Sequence, residues 1–195
     1  MTTRRNFLSR TARAGLALAT LSGAGVAAFV RASGYVVDPA RAAKLRCLAP
    51  WQLVVVDALA ARFCAADVPY DSPGAPPTPL EVGVSEFVDQ FLAESDAEVR
   101  RECLALFGMI EHAYPMSCGH LHRFSALSPA AQDDVLRSLA GSASALLQGA
   151  FTGCKSLFMM GYYRDPRTWG VLGYDGPKKG RPTEGWVPLR YRGAT

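Results

Sequence analysis

The chain has 195 residues, 49% of them hydrophobic and 19% charged, and a formal net charge of +4. Five of its 21 basic residues (Arg4, Arg5, Arg10, Arg13 and Arg31) fall within residues 1–32, which hold no acid, so the remainder sets 16 bases against 17 acids. That balance leaves no basic field for nucleic acid and excludes it as a partner class, while about 165 residues suffice for one ordinary domain with its own core.

The N-terminal stretch has the layout of a bacterial export leader. Arg4-Arg5 stand just ahead of Phe7-Leu8, and Ala14 to Val30 follow as seventeen residues without a charge. A basic region before an apolar one is read by an export machinery, and the paired arginines point to the twin-arginine route, with its translocase as a partner. That route carries chains already folded, so this protein, or something it carries, folds before export. The export signal is therefore assigned to Arg4, Arg5, Phe7 and Leu8. Small residues at Val26-Ala27-Ala28 or Val30-Arg31-Ala32 suit cleavage, giving an N-terminus near Ser33; retention as an anchor is the alternative, since the apolar run sits at the lower edge of a membrane span. The leader contains no cysteine, which argues against a lipoprotein.

Beyond the leader, Asp38-Pro39 offers an N-cap and a first-turn proline, predicting a short helix to about Leu48. Pro50 opens a second helix, Trp51 to about Ala66, apolar nearly all round and so buried by its neighbours; its Val54-Val55-Val56 would also suit a strand, but the length and alanine-rich flanks favour helix. Five prolines in residues 67–80 predict a loop. Val84, Phe87, Val88, Phe91 and Leu92 share one helical face. Ser95-Asp96-Ala97-Glu98 reads as a capping box with Ser95 at the N-cap, opening a helix with Val99, Cys103, Leu106, Phe107 and Ile110 on one side. Residues from His112 to Phe124 read as irregular. Ser128-Pro129 is again N-cap plus proline, for a helix ending near Ala140 before Gly141. Another helix runs from about Ser142 to Met160 with Leu146, Leu147, Ala150, Phe151, Cys154, Leu157 and Phe158 in its stripe. From Gly161 no helical period survives. The fold class is all-α: a compact bundle of five or six helices with a long irregular C-terminal arm. The domain limits are residues 1–32 for the signal, 33–177 for the helical domain and 178–195 for the tail.

Five cysteines lie beyond the leader, Cys47, Cys64, Cys103, Cys118 and Cys154, and an odd count leaves at least one thiol free or paired with another chain. Cys103 and Cys154 fall in apolar stripes, which makes them packed thiols, and Cys118 is the most loop-like candidate for an intersubunit bridge. All three histidines, His112, His120 and His122, lie in one stretch with Cys118. These are zinc-ligand types, but their spacing matches no common finger or ribbon; a free-standing exported metal-binding protein or enzyme built on the His112–His122 loop is the alternative reading. No haem-attachment spacing, phosphate cradle or oriented nucleophile is present, so no catalytic, cofactor or metal residue is assigned. The aromatic arm is the better clue. Tyr162, Tyr163, Trp169, Tyr174 and Trp186 either fold back over the helices or anchor another protein, as large aromatics at interfaces do.

Together the paired-arginine leader, the alanine-rich helical body, Leu127-Ser128-Pro129-Ala130-Ala131-Gln132, and Tyr162-Tyr163-Arg164-Asp165-Pro166 with Trp169 and Leu172-Gly173-Tyr174-Asp175-Gly176-Pro177 resemble the gluconate 2-dehydrogenase subunit 3 family over residues 50 to 177. The glycine- and asparagine-rich stretch that many relatives carry before the final motif is missing here. The resemblance implies a non-catalytic small subunit that binds no cofactor itself. It escorts a large flavoprotein of the glucose-methanol-choline (GMC) type, which holds FAD and lacks its own leader and oxidises a sugar or alcohol; a cytochrome c subunit often takes the electrons onward. The implied location is periplasmic, at the inner membrane through the complex.

Overall fold

A computed structural model describes residues 34–65 and 75–174. The expected leader with Arg4, Arg5, Phe7 and Leu8, most of the proline-rich stretch, and the C-terminal residues from Asp175, among them Trp186, lie outside the described residues. Among those described the structure is all-α, with no strand.

The hub is helix α2 (Pro50–Phe63), preceded by the four-residue α1 (Pro39–Ala42). Pro50 sits in its first turn and Gln52 Oε1 accepts from Ala49 N–H at 2.8 Å, so the helix starts where proline needs no donor. Val55, Val56, Leu59 and Ala60 are almost fully buried. They meet α4 (Val84–Glu94), α5 (Ala97–Gly108), α7 (Pro129–Ala140) and α8 (Ala145–Tyr163) around the hub. Phe158 of α8 closes the core, its ring 5.4 Å from Phe63 and 6.2 Å from Phe107. The nearly all-apolar circumference of the second helix is thus satisfied from every side, though the helix stops at Phe63 rather than Ala66.

The termini of the predicted elements differ where backbone groups find partners elsewhere. The first helix ends at Ala42, not near Leu48. The N–H groups of Arg46, Cys47 and Leu48 point instead at the carboxylate of Asp89 on α4, at 2.8, 2.9 and 2.7 Å. A charged acceptor for three successive donors competes successfully with helical bonding. Arg41 on α1 forks onto Asp57 of α2 at 2.8 and 3.0 Å and also bonds Glu86 of α4, holding the short helix to the bundle.

Part of the supposed loop 67–80 is helical. Thr78 and Glu81 cap each other reciprocally, Thr78 N–H to Glu81 Oε2 at 2.7 Å and Glu81 N–H to Thr78 Oγ1 at 3.2 Å, around α3 (Pro79–Val82). Gly83, at φ +74°, turns the chain into α4. Ser95 does not open α5: Asp96 is the flanking residue, while Ser95 Oγ donates back to Phe91 O at 2.6 Å. Arg100 then covers the carbonyls of Leu92, Ala93 and Ser95 at 2.8 to 3.0 Å. The residues expected to begin one helix therefore finish the one before it.

Nor is the stretch from His112 irregular throughout. Helix α5 runs into a wide π-helical turn, Met109–Ala113, then one α turn, α6 (Tyr114–Ser117), and a 3-10 turn at Phe124–Ala126. The Ser128 cap behaves as expected, Oγ accepting from Ala131 N–H, and Gly141 ends α7.

Helix α8 begins at Ala145, not Ser142, and continues beyond Met160 to Tyr163, where it lies tightly on α4. At Gly161 an added Cβ would stand 2.7 Å from the Phe87 ring and 3.4 Å from Val84. Alanine there gains about 1 kcal/mol of helix propensity against an overpacking cost of about 1–3 kcal/mol, so Gly161→Ala is expected to lose at most about 2 kcal/mol. Gly161→Leu gains nearly the same propensity but must seat a whole side chain against Phe87 and Val84, and is expected to lose about 3 kcal/mol, read as a lower urea midpoint; equal midpoints for the two variants would overturn the close-packing account.

Candidate functional site

The aromatic residues assigned to a partner surface divide by depth. Tyr162 is 3% exposed and its hydroxyl donates to Pro77 O at 2.8 Å, tying the end of α8 to the start of α3. Tyr163 is half-buried against the core, its ring 5.3 Å from that of Tyr162. The arm then does not become irregular at once. Asp165 Oδ1 accepts from Arg167 N–H at 2.9 Å, and a 3-10 helix follows over Pro166–Leu172. Asp165-Pro166 is the same cap-plus-proline signal that opens α1 and α7. Arg167 reaches Glu81 O at 3.3 Å, and the Trp169 indole donates to Tyr163 O at 2.7 Å.

Tyr174 packs edge-on to Trp169 at 5.1 Å but remains 43% exposed. Leu172, Met160 and Leu80 are 57%, 53% and 61% exposed. The end of α8, the 3-10 turn and α3 thus form one hydrogen-bonded corner that carries exposed apolar side chains. Tyr162 and Tyr163 build that corner from inside; Trp169 and Tyr174 stand at its surface.

The three-histidine stretch is organised differently. His112 turns inward, its ring 5.5 Å from Trp51. Burial pushes its imidazole below the ordinary value, against the opposing pull of Glu111, and Arg123 adds to the fall. His122 is exposed on the following loop. Among the described residues no three His, Cys, Asp or Glu side chains are placed to hold a metal ion. Cys118 is half-buried at the end of α6 and carries a free thiol. Burial pushes the thiols of Cys103 and Cys64 up to about 11 and about 12, and that of Cys154 higher still, which suits packing rather than nucleophilic chemistry.

One cluster was not foreseen from the sequence. Glu111, in the π turn, is completely buried. Its carboxylate accepts from Ser125 N–H at 2.9 Å, Ser125 Oγ at 2.6 Å and the Tyr35 hydroxyl at 2.8 Å, and pairs with Arg123 at 3.4 Å. The wide turn explains how the acid comes to be inside: Ile110 and Glu111, adjacent in sequence, are both 0% exposed. Such turns often mark functional positions.

A scan against protein families matches residues 50–176 to gluconate 2-dehydrogenase subunit 3. The chain belongs to that family. The match spans α2 to the Tyr-Asp-Gly stretch beyond the 3-10 turn, so it takes in the hub, Glu111 with Arg123 and Ser125, and the aromatic corner, while Tyr35 lies ahead of it. Searches of curated proteins and of solved structures returned no match. Membership in a third-subunit family makes the chain an accessory subunit of a dehydrogenase complex.

Proposed function

We propose that this chain is the non-catalytic small subunit of a periplasmic, membrane-associated, FAD-dependent dehydrogenase of the GMC type that oxidises a sugar or alcohol. It escorts the folded catalytic subunit through the twin-arginine route and stabilises it afterwards. The match over residues 50–176 carries this reading. The paired Arg4-Arg5 ahead of Phe7-Leu8 supports the export role, because a flavoprotein that folds around its cofactor before export needs a route for folded cargo. FAD belongs to the partner, and a cytochrome c subunit accepts the electrons. The corner bearing Trp169 and Tyr174 is the face offered to the catalytic subunit, with aromatic anchors of the kind that dominate binding energy.

Purification of this subunit by an affinity tag from its native host is expected to bring down a large polypeptide with a flavin spectrum; a colourless single chain would overturn the subunit reading. Deleting residues 1–32 is expected to leave the flavoprotein in the cytoplasm and the periplasm without its dehydrogenase activity. Continued export of the large subunit would overturn the escort role while leaving the subunit reading in place. Cys118→Ser, with unchanged subunit masses on non-reducing gels, would remove Cys118 as an intersubunit bridge.

A further inference from the structure

Residues 34–38 follow the leader and form no helix or strand, yet they are fastened to the domain. The principal fastening is the side chain of Tyr35. The Tyr35 hydroxyl bonds Glu111 at 2.8 Å, 76 positions later in the sequence. Its ring lies under the Arg123 guanidinium, 4.1 Å from the centroid, and 6.0 Å from Trp51. Arg123 Nη2 also donates to Gly34 O at 3.5 Å. Gly34 and Val36, on either side of Tyr35, are exposed, Val36 to 92%. Glu111 gives this seat its strength: a carboxylate with no exposure has no water to replace a donor that is pulled away. Two of those donors, both on Ser125, and the Arg123 charge come from the domain, and the remaining bond comes from the chain just behind the leader.

A protease must draw several residues of extended chain into its cleft. With Tyr35 seated, the bonds around it cannot be drawn away from the domain without breaking a charge-assisted hydrogen bond and a cation–π contact. We propose that Tyr35, seated on the Glu111–Arg123 pair, is the stop beyond which the N-terminus is not trimmed: proteolytic removal of the leader ends ahead of Gly34, and Gly34–Val36 remain as a strap on the mature domain. The processing half of this inference rests on reading residues 1–32 as an export leader. Both small-residue sites, ending at Ala28 and at Ala32, are compatible with it.

The test uses the full chain with its leader, treated with a low ratio of a broad-specificity protease and followed by intact mass. Trimming of the unmodified protein is expected to halt with Tyr35 retained. Tyr35→Phe keeps the ring and loses the bond to Glu111, and is expected to lose residue 35 at least about tenfold faster. Tyr35→Ala is expected to be trimmed onward to Asp38-Pro39, where α1 begins. Survival of the fragment from residue 39 onward in all three reports that the fold is intact; if the alanine variant does not fold, the phenylalanine variant carries the test. Loss of Tyr35 as fast as the leader, or the same end point at the same rate in all three chains, would overturn the stop. In cells, an exported protein whose N-terminus retains Tyr35 supports the inference, and one beginning at Val36 or later overturns it. A chain that keeps its leader overturns the processing half alone, because the added protease still decides whether the strap holds.

Discussion

Asp89→Ala is expected to cost about 3–5 kcal/mol, because it takes the acceptor from three backbone donors at once, at about 1–3 kcal/mol for each one left unsatisfied. Asp89 is 4% exposed, and among the described residues it joins no salt bridge; its partners are the N–H groups of Arg46, Cys47 and Leu48. Those three groups have left the helical ladder of α1 to reach it. Without the carboxylate they have no helix to return to, since Pro50 follows and the chain is already entering α2. Asp89→Asn keeps one acceptor oxygen but turns an amide N–H₂ toward donors, so it should recover only part of the loss. Urea unfolding followed by circular dichroism measures both. An alanine variant within 1 kcal/mol of the unmodified protein would mean the segment 46–48 repacks onto water and that Asp89 does not organise the entry to the hub.

That expectation also shows which features were legible in the sequence. Helix α7 was readable because its signals are local: Ser128 caps, Pro129 starts, Gly141 stops. Helix α2 was readable because its burial shows in composition. Asp89 was not, because a carboxylate one position after Val88 on an amphipathic helix looks like a solvent-facing residue, and its partners are backbone groups that no residue pattern advertises. Ser95 misled for a related reason. A serine before Asp-Ala-Glu fits a cap, but it follows a helix whose last carbonyls were also open, and the hydroxyl went there. Two misses were avoidable. Thr78-Pro79-Leu80-Glu81 is a capping box hidden among prolines, and Asp165-Pro166 repeats a signal already recognised at Asp38-Pro39 and Ser128-Pro129.

The aromatic corner was half legible. Residue type and the lack of period drew attention to Tyr162, Tyr163, Trp169 and Tyr174, but which of them faces inward depends on Pro77 and Glu81, which the fold brings from more than eighty positions earlier. The Glu111 cluster was invisible, since a π turn inserts a residue into the helical period and moves the acid onto the face that the three-and-four spacing gives to apolar side chains.

Glu111→Ala is expected to destabilise the domain by about 3–5 kcal/mol. The substitution removes the acceptor for Ser125 N–H, Ser125 Oγ and Tyr35, opens space in the core, and takes the Glu111 carboxylate away from Arg123, 19% exposed. Glu111→Gln keeps the shape and an acceptor oxygen, and should cost about 1–2 kcal/mol, the loss of charge assistance. Two further variants separate the causes. If the loss of the Glu111–Arg123 ion pair dominates, Glu111→Met combined with Arg123→Met should recover most of the alanine loss, because apolar side chains of similar volume often replace a buried pair without penalty. If the bonds to Ser125 and Tyr35 dominate, the double variant should stay as unstable as Glu111→Ala, and a cycle of Tyr35→Phe with Glu111→Gln should show a coupling of about 1 kcal/mol. Denaturant midpoints for the set decide between these. A Glu111→Ala protein as stable as the original would contradict both, and with them the view that the π turn exists to place this carboxylate beneath Tyr35.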